Sequence, residues 1–198
     1  MIQAIAALLA IANPLGAVPL FTSMTEDRSK IAQRAAALQV SLAVFLILGV
    51  ASLSGGLLLK AFGISLSAFQ AGGGLVVLLM GMEMIRGTPT KVQHVHQPGE
   101  EPSDSIIVPL AMPLIAGPGA ITTVVGLTSR EPGITNRIDV LTAVAIVSVI
   151  LLLTLLSAAW LSNRVGKRAH QVFLRFMGLI LVAVGAQMLL AGVSTFMR

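Results

Sequence analysis

The sequence contains no cysteine and no tyrosine, a single tryptophan, and only 11% charged residues over 198 positions. The missing cysteine excludes a disulfide framework, a thiol nucleophile and thiolate metal sites. The net charge is +5, but the 13 Lys and Arg residues are dispersed at segment ends, and no basic stripe interleaved with aromatics invites nucleic acid. Membrane topology accounts for them better. A catalytic set is also absent: there is no Gly-x-Ser-x-Gly elbow, no His-Glu-x-x-His and no pair of intramembrane aspartates, and Ser54-Gly55-Gly56 has no His or Lys partner at membrane depth. The expectation is a protein that is not an enzyme and carries no cofactor.

What is abundant is apolar surface. With 56% hydrophobic residues and a mean hydropathy of +0.93, the chain has more than one water-soluble core can hide, so a lipid bilayer must solvate the rest. Spanning hydrocarbon takes roughly 20 mostly apolar residues. Six such segments are marked off by charged punctuation: Ile2 to Met24, Ala35 to Leu59, Ala68 to Ile85, Ile106 to Thr128, Val140 to Leu161 and Phe173 to Met197. Met1 to Phe21 lacks a positive n-region and carries two prolines, so it reads as a retained span and not a signal peptide.

The connections are short except for RGTPTKVQHVHQPGEEPSDS, Arg86 to Ser105, which is polar and Pro-bearing. It divides the chain into residues 1–86, a linker at 87–105, and residues 106–198. His94 and His96, with Glu100 and Glu101 beyond, read as solvated linker, not a metal site.

Two segments recur. Asn13-Pro14-Leu15-Gly16-Ala17-Val18-Pro19 returns as Met112-Pro113-Leu114-Ile115-Ala116-Gly117-Pro118-Gly119, aligning Pro14 with Pro113 and Pro19 with Pro118. The third segment overlays the sixth, matching Phe69 with Phe173, Gly74 with Gly178, Gly81 with Gly185 and Met84 with Met188. Each half then holds three spans, and an odd number forces the halves into opposite orientations. The predicted fold is an all-α polytopic membrane protein built as a 3+3 inverted repeat, an arrangement common among secondary transporters. The positive-inside rule places Arg28, Lys30, Arg34, Arg86, Lys91, Arg164, Lys167 and Arg168 in the cytoplasm, against Lys60, Arg130, Arg137 and Arg198 outside. Both termini are therefore expected outside.

Proline removes a backbone donor and clashes with the preceding turn, so spans one and four are predicted to break at Pro-x-x-x-x-Pro. Carbonyls freed in hydrocarbon would cost several kcal/mol each, so both breaks should face the protein interior. There the amides of Gly117, Gly119 and Ala120 can meet a carboxylate, Thr122 and Thr123 add hydroxyls, and Asn13 with the carbonyls released by Pro14 and Pro19 can hold an ammonium. No Asp, Glu, Lys, Arg or His occupies the centre of a predicted span, so the expected solute is net neutral, for example a zwitterion. Glu83 is the nearest candidate for proton coupling and is equally suited to pairing with Arg86 or Arg175. Gly74 and Gly81, like Gly178 and Gly185, lie two turns apart and line a helix face for close packing, inside one chain or in a homo-oligomer.

The motifs NPLGAVPLF, VPLAMPLIAGPGAITTVV and FMGLILVAVGAQMLL resemble those of the MarC family of bacterial and archaeal integral membrane proteins. The resemblance covers nearly the whole chain. It implies six spans, a place near the amino-acid exporter superfamily typified by LysE, and small neutral amino acids such as glycine or alanine as substrates. The family motifs fall on Asn13, Pro14, Gly16, Pro19, Pro113, Gly117, Pro118, Gly119 and Thr122, with Arg175 in a family-like pattern. Met112, where the first repeat has Asn13, departs from the symmetry. The expected function is transport of small neutral solutes across the inner membrane, coupled to H+ or Na+, by alternating access around a midplane site. An exporter of drug-like compounds would want an aromatic-lined cavity, for which only Trp160 and seven phenylalanines are available. The remaining alternative is a membrane protein that binds a lipid or partner without transport.

Overall fold

The computed structural model describes residues 1–25, 27–86, 115–130, 133–158, 160 and 167–197. These form helices α1 (Ile2–Ala12), α2 (Pro14–Thr25), α3 (Lys30–Ala61), α4 (Leu66–Arg86), α5 (Pro118–Arg130), α6 (Ile134–Leu156) and α7 (Lys167–Phe196), with no strand among the described residues. Five stretches are long and apolar enough to cross a membrane: Ile2–Thr25, Lys30–Ala61, Leu66–Arg86, Ile134–Leu156 and Gln171–Phe196. The chain is an all-helical polytopic membrane protein. Of the fourth predicted span, residues 115–128 are described; residues 106–114, the linker at 87–105 and its His94 and His96 lie outside the described residues.

The helices are apolar on both faces. On α3, Val40, Val44 and Leu48 are fully buried, whereas Leu38, Leu42, Leu46, Val50, Leu53 and Leu57 form an exposed stripe on the other side. In water such a stripe would be untenable; in a bilayer it is the lipid-facing surface. The core gathers Leu8 and Ile11 of α1, Val77 of α4, Val124 of α5, and Val144, Val147 and Leu151 of α6 around that buried face of α3.

The helix ends follow local chemistry. α3 starts at Lys30, ahead of the predicted Ala35, because Ser29 caps it by accepting the Ala32 amide at 3.3 Å. It stops at a Schellman turn, in which Gly63 at φ +66 lets the Ile64 amide reach the Leu59 carbonyl at 2.9 Å. The Gln33 amide donates to the carbonyls of Thr25 (2.9 Å) and Arg28 (3.1 Å), tying the start of α3 to the end of α2. Asn136 does the same between α6 and α5, donating to the Leu127 carbonyl at 2.9 Å.

α4 and α7 pack antiparallel through their glycines. A Cβ built on Gly74 would lie 2.7 Å from the Gly185 oxygen, and one on Gly185 would lie 2.7 Å from the Gly74 oxygen. Gly81 and Gly178 approach each other's carbonyls in the same reciprocal way, at 2.7 and 2.8 Å. Their two-turn spacing marks packing faces in the sequence, and here they pack within one chain. α5 runs antiparallel along the other side of α4, with Gly119 against Val77, Thr122 against Gly73 and Gly126 against Gln70.

Candidate functional site: two helix breaks

The first break is one residue wide. Asn13 adopts φ 41, ψ 64, and it is the sole non-glycine residue at positive φ among the described residues. A residue before proline is disfavoured in the right-handed helical region, and asparagine tolerates the left-handed one. Asn13 therefore ends α1, its amide closing on the Leu9 carbonyl at 3.0 Å. It also opens α2: its Oδ1 accepts from the Gly16 amide at 3.2 Å, the N-cap bond, with Pro14 at the first helical position, where a missing donor costs nothing. The small Gly16 is needed there, because a Cβ would strike the Asn13 side chain.

This corrects the predicted break across Pro14 to Pro19. The helix resumes at Pro14 and runs through Pro19 to Thr25, so the interruption lies before the first proline and not between the two. Pro14 is buried and Pro19 exposed. What Pro19 contributes is a missing N–H one turn above Leu15, whose carbonyl loses its helical partner.

The second break precedes α5. Ile115, Ala116 and Gly117 are buried, the helix begins at Pro118, and the Ile121 amide bonds the Gly117 carbonyl at 3.1 Å. Pro113 lies outside the described residues. Pro118, in the same first-turn role as Pro14, is exposed, whereas Gly119 and Ala120 are buried. Their amides belong to the first turn of α5 and have no partner within the helix.

The fold brings these two breaks together. A Cβ on Gly119 would run into Val77 and lie 3.5 Å from Cγ2 of Ile11, in the last turn of α1. Thr122 and Thr123 are buried one turn on, but their hydroxyls donate backward to the carbonyls of Pro118 (2.7 Å) and Gly119 (2.9 Å), leaving lone pairs as their free capacity. The polar buried residues are Thr25, Ser41, Ser52, Gln70, Thr122, Thr123, Thr128 and Ser148; none of the described buried side chains is ionisable. Glu83 is half-buried on α4 and is engaged in an interaction, and Arg175 is exposed on α7.

Sequence reasoning missed the sulfurs. The Asn13 Nδ2 donates to Sδ of Met84 at 3.9 Å, and the Thr123 hydroxyl reaches Sδ of Met188 at 3.8 Å. Met84 and Met188 are the two methionines that the repeat aligns, so the signal was present. Gln70, buried against Gly126, left none, since the repeat places Leu174 opposite it.

The profile described as "MarC family integral membrane protein" matches residues 1–197. This chain belongs to the MarC family. Within the wider set of MarC relatives, a UPF0056 membrane protein of Methanocaldococcus jannaschii is 36% identical over 194 residues, covering 97% of this chain and 95% of that protein. One from Pyrococcus horikoshii is 37% identical over 188 residues (94% and 90%), and YvbG of Bacillus subtilis is 32% identical over 191 (94% and 90%). No solved structure matches. These MarC relatives, bacterial and archaeal, are named as membrane proteins with no cargo attached.

Proposed function

We propose that this MarC-family protein is a secondary transporter of small neutral solutes, neutral amino acids such as glycine or alanine, working by alternating access in the plasma membrane. The observation that carries this is the meeting of two helix breaks at the Ile11–Gly119 contact, without a buried charge among the described residues. Amides at the start of α5 suit a carboxylate, and the side-chain carbonyl of Asn13 suits an ammonium. A zwitterion satisfies both without ionised side chains.

Alternating access requires two halves that exchange roles, and an inverted repeat is supported by paired features. An inverted repeat would exchange the Gly74–Gly185 and Gly81–Gly178 contacts between α4 and α7. The buried residues Ala36, Ala37, Val40, Ser41, Val44 and Leu48 of α3 recur at one constant spacing as Ala143, Val144, Val147, Ser148, Leu151 and Leu155 of α6. Gln33 and Asn136 tie equivalent helix ends, and Thr25 and Thr128, both buried, donate back to the carbonyls of Phe21 and Val124.

The deciding experiment is uptake of radiolabelled glycine and alanine into liposomes bearing the purified protein, under imposed H+ and Na+ gradients. Saturable uptake that Gly117→Leu abolishes in a folded protein is the expected result. Uptake equal to that of empty liposomes rejects these substrates. Sensitivity to Glu83→Gln and to pH identifies proton coupling; an absolute need for sodium identifies the alternative.

A further inference from the structure

Two of the helix pairs that join the halves, α4/α7 and α3/α6, are built in opposite ways. Along α4 and α7 the backbones interlock: besides the four reciprocal glycines, a Cβ on Gly192 would lie 2.6 Å from both the Ala71 amide nitrogen and the Ser67 carbonyl oxygen. The contact runs from Ser67 to Met84, nearly the full length of α4, and backbone meeting backbone has no rotamer through which to yield.

The α3/α6 seam has no such interlock. Gly49 meets Leu141 at an ordinary 3.9 Å, and the buried residues of both helices are mostly valine, alanine and leucine. Buried on these two helices are Ser41 of α3 and Ser148 of α6, 4% and 6% exposed, whose hydroxyls, like that of Ser52 on α3, have no hydrogen-bond partner among the described residues. Elsewhere in these helices Thr22, Thr25, Ser54, Thr122, Thr123, Thr128, Thr142 and Thr154 all donate to the carbonyl one turn back. α4 runs opposite to α5, and since only four residues separate α3 from α4 and three separate α5 from α6 in the sequence, α3 and α6 are antiparallel. Counted from the Gly49–Leu141 contact, Ser41 and Ser148 lie about 12 and about 10 Å along their helices, at the same level. They are also the residues that the constant α3-to-α6 spacing pairs.

We propose that α4 and α7 move as one rigid body, and that the conformational change takes place along the α3/α6 seam, where Ser41 and Ser148 bond to each other in the alternate arrangement. This rests on the transport reading only in requiring that a second arrangement exists. One seam loses packing by sliding; the other gains a hydrogen bond that two buried hydroxyls now lack.

The chain has no cysteine, so spin labels can be placed without background. Full-length protein in nanodiscs would be labelled at the exposed pair Leu42→Cys/Val149→Cys across α3 and α6, and separately at the exposed pair Leu75→Cys/Leu190→Cys across α4 and α7. Pulsed electron-electron distance measurements should give two populations for the first pair and one narrow population for the second. Adding Ser41→Ala/Ser148→Ala to the first pair should collapse its two populations into one. A single narrow distance across α3/α6, a split distance across α4/α7, or two populations that survive the double alanine change would each overturn the proposal. The readout is distance and not flux, so a protein that carries neither glycine nor alanine still decides it.

Discussion

Asn13 holds three tasks at once: it terminates α1, caps α2 and points an amide into the protein interior. Asn13→Ala removes the cap and places a Cβ-bearing residue with no compensating side-chain bond at positive φ, so unfolding in detergent should show a loss of about 1–2 kcal/mol. Asn13→Gly relieves the backbone while still deleting the amide. Its stability should lie nearer wild type, yet glycine uptake should fall by about tenfold, the value of one lost hydrogen bond of roughly 1.4 kcal/mol. If both variants track together in stability and flux, the amide has no role beyond the backbone. That Asn13 and the prolines matter was legible from the Asn-Pro pair. That the break is one residue wide was not, because a helix with a proline in its interior is tolerated when the packed surroundings hold it, and α2 carries Pro19 on its exposed side.

Among elements, the α4/α7 pair should be the least tolerant of added volume. Gly74→Ala drives a methyl group into the Gly185 carbonyl and the Leu189 amide, and should cost about 1–3 kcal/mol in a thermal or denaturant unfolding measurement. Gly72→Ala is the matched control: a Cβ there meets nothing within 4 Å, so stability should hold or rise by up to about 1 kcal/mol through helix propensity. The glycine spacing made this pairing readable, since two small residues two turns apart on each segment define a face. Where the helices begin was less readable. The start of α3 at Lys30 depends on Ser29 and on Gln33 reaching back to Thr25 and Arg28, contacts that hydropathy does not register.

At the scale of the whole molecule, the charge pattern predicts both termini outside and the linker in the cytoplasm. With no native cysteine, Ser194→Cys should react with an impermeant maleimide added to intact cells, and Ser103→Cys only after the membrane is permeabilised; the opposite pattern would invert the orientation. The sequence by itself determined that this is a multi-span helical membrane protein with two proline breaks and a duplicated pattern, because the span length, the missing donor of proline and the glycine spacing are all local properties. Only the tertiary structure decided which residues meet. It set Ile11 and Val77 against Gly119, turned the Thr122 and Thr123 hydroxyls back on their own helix, and left the buried hydroxyls of Ser41, Ser52 and Ser148 without a partner among the described residues. Those facts depend on which faces of different helices are pressed together, and no periodicity within one helix specifies the partner that covers it.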